Sequence, residues 1–213
     1  MSIVIVDYDV GNLHSVQKGL EKVGATAIVS RDIETISTAD AIVLPGVGAF
    51  SACVDNLNYY NLTRPIIEFI KQDRPFLGIC VGYQLLFESS DESAKHQGFS
   101  IIKGKSKKFL PANNNGQRYK VPHMGWNQVR IVPNNGEIFE QIDDLSDFYF
   151  VHSFYPVPED ESVVSSWSDY TVSFASSIRY RNIFGLQFHP EKSHTVGLKL
   201  LSNFAKLASD HSL

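Results

Sequence analysis

The 213-residue sequence has only two cysteines, Cys53 and Cys80, too few for a disulfide framework and without the spacing of zinc ligands. No apolar run approaches the roughly 20 residues of a membrane-spanning helix. The N-terminus lacks the basic region and cleavage site of a signal peptide, and the net charge of −4 does not favour a nucleic-acid partner. These absences predict a cytoplasmic protein that binds no metal, membrane or nucleic acid.

The composition is that of a globular protein, with 43% hydrophobic and 20% charged residues. This length allows one large α/β domain or two small ones. The chain has no internal repeat, low-complexity tract or linker. We therefore predict one domain over residues 1–213.

Strands and helices alternate in the first 90 residues. Apolar runs at 2–7, 25–29, 39–44 and directly before Cys80 predict strands, and helical patterns separate them. Such alternation indicates an open, largely parallel, flavodoxin-like sheet flanked by helices. From 99 to 188, β-branched and aromatic runs predict additional antiparallel strands. A last helix is predicted at 195–208, and the fold class is α/β.

Cys80 lies in a Gly-X-Cys-X-Gly segment between a predicted strand and a helical pattern. This pattern is typical of a nucleophile elbow, in which a strand turns sharply into a helix. Gly78 and Gly82 would allow the close backbone approach of such a turn. At a helix N-terminus, Cys80 would be favoured as a thiolate. A buried structural cysteine is the alternative, and Cys53, which has no motif, is interpreted as structural.

A base for this nucleophile is available in Gly-Leu-Gln-Phe-His-Pro-Glu, residues 185–191. His189 would project from the carboxyl end of another strand, where ligand sites of open α/β sheets form. Glu191 could accept from the other ring nitrogen and fix the tautomer. The alternative is a strand exit into a helix.

The loop Pro45-Gly46-Val47-Gly48 follows another predicted strand. Its backbone N–H groups have no bulky neighbours and could hold an oxyanion. A phosphate-binding loop or a plain turn are the alternatives. It is not a Walker A loop, because the lysine is missing.

Together and in this order, the three segments resemble the class I (triad) glutamine amidotransferases over essentially the whole chain. Within that family the chain is most similar to the glutaminase subunits of histidine biosynthesis. The most specific segments are Gly-Asn-Leu at 11–13 and Pro-His-Met-Gly-Trp-Asn at 122–127, and His-Pro-Glu-Lys-Ser at 189–193 also carries the resemblance. Val81, Tyr83 and His14 depart from the common pattern without removing a catalytic group.

The resemblance implies that Cys80 attacks the side-chain amide of L-glutamine, forming a γ-glutamyl thioester and releasing ammonia. His189 would act as base and then acid, and Glu191 would orient it. Val47 and Gly48 would form the oxyanion hole, in a loop that the family couples to partner binding. Gln84 and Gly48 would contact the glutamine. No cofactor is implied.

The implied partner is a separate cyclase subunit with a (β/α)₈ barrel. It would use the ammonia, passed through the interface, to make imidazole glycerol phosphate and an aminoimidazole carboxamide ribonucleotide from a phosphoribulosyl precursor. Five residues match positions near that interface: Asn12, His123, Met124, Trp126 and Lys192.

Two alternatives to this function remain. A paralogous glutaminase subunit could supply ammonia for the amination of a surface-sugar precursor, and it would share most of these segments. A non-catalytic scaffold subunit could also have this fold, although the intact Cys80, His189 and Glu191 argue against it.

Overall fold

The computed structural model describes residues 2–112, 115–133 and 136–211. Within them the chain forms thirteen strands and six α-helices. The strands are β1 (Ser2–Val6), β2 (Thr26–Ser30), β3 (Ala41–Gly46), β4 (Phe76–Cys80), β5 (Ser89–Ser90), β6 (Ser93–Gln97), β7 (Gly104–Lys108), β8 (His123–Ile131), β9 (Ser146–His152), β10 (Phe154–Pro158), β11 (Val164–Asp169), β12 (Ser173–Tyr180) and β13 (Ile183–Leu186). The α-helices are α1 (Leu13–Lys22), α2 (Ile33–Thr38), α3 (Phe50–Tyr59), α4 (Thr63–Lys71), α5 (Val81–Gln84) and α6 (His194–His211).

Nine strands form one sheet in the order β2-β1-β3-β4-β13-β12-β11-β8-β9. The first five are parallel. Counted among themselves they have the order 2-1-3-4-5, which is the flavodoxin-type order. β3 and β4 are buried along their whole length, because helices cover both faces of a parallel sheet and select continuous apolar runs.

The other half of the large sheet is antiparallel, from β13 through β12, β11 and β8 to β9. A second sheet of four strands, in the order β10-β7-β5-β6, is formed by strands between residues 89 and 158. The α/β class and the switch from parallel to antiparallel strands are thus confirmed.

The helices form two packed groups. In one, α1 packs against α6; in the other, α2 and α3 both pack against α4. The pattern of residues 51–72 predicts a helical region broken near Asn61, and the break is present, since Asn61 has a φ of 57° between α3 and α4. Helix α2 was not predicted. It begins after Asp32, whose side chain accepts from the Thr35 backbone N–H at 2.8 Å, a stabilising cap for a short helix.

The helix after Cys80 is shorter than predicted. The sequence favours a helix through Phe87, but α5 is a single turn that ends at Gln84. The carbonyls of Leu85 and Leu86, which would continue the helix, accept instead from the backbone N–H groups of Phe99 and Ile101, at 2.6 and 2.9 Å. So short a helix has little dipole, and its N-terminus stabilises a Cys80 thiolate only weakly.

Among the described residues, none of the helices has the length and apolar character needed to span a bilayer.

Gly82 provides a test of the packing at this turn. A Cβ added there would lie 1.9 Å from the Leu44 carbonyl oxygen of β3. We expect Gly82→Ala to lower the free energy of unfolding by about 3 kcal/mol or more, because backbone cannot move aside as a side chain can. Urea denaturation measures this.

The matched control is Gly11→Ala. Its added Cβ would meet only Val47 Cγ2, at an ordinary 3.5 Å, so we expect a change within about 0.5 kcal/mol. Equal stability of the two variants would contradict the close packing of Gly82.

Candidate active site

Cys80 is the last residue of β4 and has a backbone conformation that L-residues rarely adopt, with φ 56° and ψ −109°. Such strain persists only where surrounding contacts fix it. Here the close approach of two glycines fixes it, since a Cβ on Gly78 would lie 2.6 Å from the Gly82 carbonyl oxygen. The geometry is that of the predicted elbow, and it holds the Cys80 side chain at the carboxyl end of the strand.

His189 reaches the same edge because β13 pairs in parallel with β4. Gly185 lies opposite Gly78 and Leu186 opposite Ile79, so both strands end at one level. His189 follows three residues after the end of β13. Its backbone is held on both sides, since its N–H donates to the Tyr149 carbonyl at 2.9 Å and its carbonyl accepts from Ser193 Oγ at 2.6 Å.

The imidazole of His189 is oriented by Glu191. Nδ1 lies 2.7 Å from Glu191 Oε1, and both side chains are buried. Since a carboxylate only accepts, Nδ1 carries a hydrogen. Nε2 has no hydrogen-bond partner in the described part of the chain and is free to exchange a proton with a reacting group. Asn12 Nδ2 donates to the same oxygen of Glu191.

The electrostatics of the site favour a protonated His189. Burial alone would lower the pKa of this imidazole, but the negative charge of the Cys80 sulfur and the Glu191 carboxylate outweigh it and raise the pKa to about 10. A negative charge on the sulfur and a proton on the ring therefore stabilise each other. This is the charge distribution that a cysteine nucleophile with a histidine base requires.

A cavity of about 360 Å³ lies in front of this pair. Of the predicted site residues, it is lined by Val47, Gly48, Cys80, Gln84, His189 and Lys192. Its size suits a ligand no larger than a small metabolite. Among the described residues, no three histidine, cysteine or acidic side chains cluster in a way that could hold a metal ion.

The predicted oxyanion loop overlaps the end of β3, since Pro45 and Gly46 are still paired with β4 and only Val47 and Gly48 follow the strand. A Cβ on Gly46 would lie 2.6 Å from the Gly82 backbone nitrogen, and Gly48 has a φ of 94°. Glu92, which also lines the cavity, accepts from the Phe50 backbone N–H at 2.8 Å where α3 begins. The loop is thus held between the elbow and a buried helix start.

Gln84 is a nearly buried residue of the cavity wall and donates twice through Nε2. Its acceptors are the Phe154 carbonyl, at 3.1 Å, and Gln187 Oε1, at 3.2 Å. Gln187 Nε2 in turn lies 3.7 Å from Cys80 Sγ. The predicted substrate residue is therefore part of a chain of amides that ends at the nucleophile.

His123 is buried, unlike its neighbours Met124 and Trp126. It is only 3% exposed and offers almost no surface of its own to a partner, and its place near the interface stays a prediction. Its Nδ1 lies 2.9 Å from His152 Nε2, and His152 Nδ1 lies 2.8 Å from the Phe154 carbonyl. Burial lowers the pKa of His123 to about 4 and that of His152 to about 3, and both rings are neutral at pH 7.

The other predicted interface residues differ in exposure. Met124 is 62% and Trp126 47% exposed, and Lys192 is also exposed. The Trp126 ring is stacked on His194, with centroids 4.9 Å apart. Asn12 is half-buried and its amide is engaged with Glu191, which the sequence analysis did not foresee.

Cys53 contrasts with Cys80. It is fully buried on α3, and burial raises the pKa of its thiol to about 12. Its sulfur lies 3.9 Å from the Val47 carbonyl. A neutral buried thiol of this kind fits a structural residue.

Sequence reasoning missed Gln187, His152 and Glu92. Gln187 carried a usable signal, because it lies two residues before His189 and alternation along an extended segment puts both on one face. His152 and Glu92 reach the cavity through long-range packing, and no local pattern marks them.

Comparisons with known proteins show which family the chain is similar to. The model of the family "Glutamine amidotransferase class-I" matches residues 4–207. The chain is 49% identical to the imidazole glycerol phosphate synthase subunit HisH of Syntrophotalea carbinolica, covering 96% of this chain and 100% of that protein. The HisH of Geobacter sulfurreducens is 47% identical, with 96% and 98% covered. The solved structure of PurLQS from Thermotoga maritima has a TM-score of 0.72 at 16% identity, covering 100% and 99%, and is similar in fold.

The charge coupling between Cys80 and His189 can be measured. In Cys80→Ala the sulfur no longer raises the pKa of His189 while burial still lowers it, so we expect that pKa to fall from about 10 by about 1 to 3 pH units. NMR titration of the imidazole resonances measures it. Cys53→Ser is the control and should leave the titration unchanged. An unaltered His189 titration in Cys80→Ala would contradict the coupling.

Proposed function

The chain belongs to the class-I glutamine amidotransferase family, and from that premise we propose that it is the glutaminase subunit of an imidazole glycerol phosphate synthase. It hydrolyses L-glutamine to glutamate and ammonia and passes the ammonia to a cyclase subunit. One observation carries the proposal: Cys80 on a strained elbow shares a small cavity with His189, whose ring is oriented by a buried carboxylate.

In the first step, Cys80 Sγ attacks the side-chain carbonyl carbon of glutamine. The thiol proton passes to His189 Nε2, the ring nitrogen that has no other partner among the described residues. The raised pKa of His189 supports this direction of transfer. Glu191 stabilises the resulting imidazolium through Nδ1.

The tetrahedral intermediate then collapses. Its oxyanion is held by backbone N–H groups of the loop at Val47 and Gly48, both of which line the cavity. His189 returns its proton to the leaving nitrogen, so that ammonia departs and the γ-glutamyl thioester remains. Water, deprotonated by His189, attacks the thioester; glutamate is released and the proton returns to the sulfur.

Gln84 and Gly48 bind the glutamine. Because the Phe154 carbonyl can only accept, Nε2 of Gln84 must face it. The amide oxygen of Gln84 is then the group left for the ligand. It suits the α-ammonium of a zwitterionic amino acid, since an oxygen accepts from N–H donors.

Residues 1–213 act as a single glutamine amidotransferase domain in the cytoplasm, without a cofactor. The partner is a (β/α)₈ cyclase subunit that converts a phosphoribulosyl precursor to imidazole glycerol phosphate and an aminoimidazole carboxamide ribonucleotide. It contacts the face carrying Met124, Trp126 and Lys192, next to the cavity. Lys192 also lines that cavity, which supports transfer of ammonia across this face.

The relatives support this reading over the two alternatives. Both HisH proteins named above are subunits of imidazole glycerol phosphate synthase by name, which favours that pathway over amination of a sugar precursor. A scaffold subunit would have no need of a buried carboxylate aligned on the histidine beside a cysteine.

Loss of the Cys80 thiol tests the mechanism. We expect the complex of Cys80→Ala with the cyclase subunit and its phosphoribulosyl ligand to lose at least about 10³-fold in glutamine hydrolysis, because no other group can form the thioester. Release of glutamate measures this. The isolated wild-type chain should have negligible activity and be strongly stimulated by the liganded partner.

Cys53→Ser is the matched control and should retain the activity of the wild-type complex. A thiol-reactive glutamine analogue should label Cys80 alone, as peptide mass mapping would show. Undiminished hydrolysis by Cys80→Ala, or labelling at Cys53 instead, would refute the assignment.

Trp126 tests the partner face. A half-exposed tryptophan beside an exposed methionine is a typical anchor of a protein interface. We expect Trp126→Ala to weaken binding of the cyclase subunit by about 2 kcal/mol or more, roughly 30-fold in Kd, while the fold is unchanged. Titration calorimetry measures the affinity.

Tyr59→Ala is the control, an aromatic residue 78% exposed on α3. The affinity of the Tyr59→Ala variant for the cyclase subunit should equal that of the wild type. Unchanged affinity in Trp126→Ala would place the interface on another face.

A further inference from the structure

Gln187 is a buried amide that the mechanism above does not use. Its side chain is 0% exposed and lies between Gln84 and the nucleophile. Burying an amide is unfavourable unless its polar atoms are hydrogen-bonded. An apolar side chain would fill the same volume without that requirement, so the partners of this amide indicate its role.

The orientation of Gln187 follows from a backbone group. The Phe154 carbonyl accepts only, which fixes the NH₂ of Gln84 toward it at 3.1 Å. The same NH₂ is 3.2 Å from Gln187, which must therefore present its oxygen. The NH₂ of Gln187 is then on the opposite side of its amide, where it meets Cys80 Sγ at 3.7 Å.

Cys80 Sγ has a second polar neighbour, the Val151 carbonyl, at 3.9 Å. A carbonyl accepts from the neutral thiol, whereas an N–H donor is favoured by the thiolate. The Val151 carbonyl therefore stabilises the neutral thiol, and the NH₂ of Gln187 stabilises the thiolate.

We propose that Gln187 is a hydrogen-bond donor to the Cys80 sulfur and stabilises its negative charge during the reaction, with its orientation set by Gln84 and the Phe154 carbonyl. The inference rests on the proposed function for its catalytic consequence. The sulfur is anionic before it attacks and again when it leaves the thioester. A donor fixed beside the sulfur stabilises the thiolate in both of these states. In the neutral thioester between them, the sulfur is no longer a charged acceptor for it.

This role affects the chemical step and not the binding of glutamine. Gln187 does not line the cavity, as far as the described residues define it, so its loss should leave the KM for glutamine nearly unchanged. We expect kcat to fall about tenfold, because a hydrogen bond to a charged group is worth about this factor or more.

The test uses Gln187→Met, which keeps a long unbranched side chain but removes the donor. Alkylation of Cys80 by iodoacetamide is followed as a function of pH on the full chain. We expect the pH midpoint of alkylation to move upward by about one unit and the rate at pH 7 to fall about tenfold. The control is Gln17→Leu, which removes an amide that donates to the Ala27 carbonyl away from the cavity.

A second variant covers the case in which Gln187→Met does not fold. Gln187→Glu keeps an oxygen to accept from Gln84 but replaces the donor to sulfur with an acceptor, and its alkylation midpoint should move upward as well. An unchanged midpoint in a folded variant, with only its thermal stability reduced, would show that Gln187 is a packing residue and overturn the inference.

Alkylation and glutamine hydrolysis distinguish this inference from the proposed function. Iodoacetamide needs neither glutamine nor the partner, so a shifted midpoint supports the donor role even if the wild-type complex hydrolyses no glutamine. Active wild-type complex with an unshifted midpoint in both variants would leave the glutaminase function intact and refute the role of Gln187.

Discussion

The site depends on one pairing, that of β4 with β13. These strands are about 100 residues apart in the chain, yet their parallel register places Gly78 beside Gly185 and ends both strands at the same edge. Gly185 leaves the space that the Tyr83 ring fills, since a Cβ there would lie 2.1 Å from Tyr83 Cδ2. A shift of one residue in the register of β13 against β4 would turn the side chains of β13 to the opposite face of the sheet. His189 would then no longer lie beside Cys80.

A second constraint is the Phe154 carbonyl at the start of β10. It accepts from both Gln84 and His152, and each then fixes a further side chain: Gln187 on one branch and His123 on the other. A backbone carbonyl cannot change its hydrogen-bonding character, so the orientation of every amide and ring along these branches follows from it. Such networks restrict side chains to one arrangement, because an unsatisfied member would be costly in a buried site.

Asn12 connects the first turn of the chain to the triad. It lies in the left-handed region, with φ 77° at the start of α1, and its amide donates to the carboxylate that orients His189. Lys192, which is exposed, directly follows Glu191 in the chain.

Local patterns in the sequence determined the elbow, the position of Cys80 in it and the His189–Glu191 pair, because each depends on residues within a few positions of one another. Strand alternation likewise predicted the parallel half of the sheet, and the family segments predicted the reaction class. These features are set by short-range sterics and by the chemistry of the residue types themselves.

Only the tertiary structure decided where α5 ends, that His123 is buried, and that Asn12 faces Glu191. It also placed Gln84 and Gln187 in one chain of amides ending at Cys80. In each case the deciding contact comes from a distant segment: Phe99 competes for a helix carbonyl, Phe154 fixes an amide, and Glu191 attracts an amide 179 positions away. Side-chain orientation is a property of the packed neighbours, and the sequence pattern around a residue does not contain them.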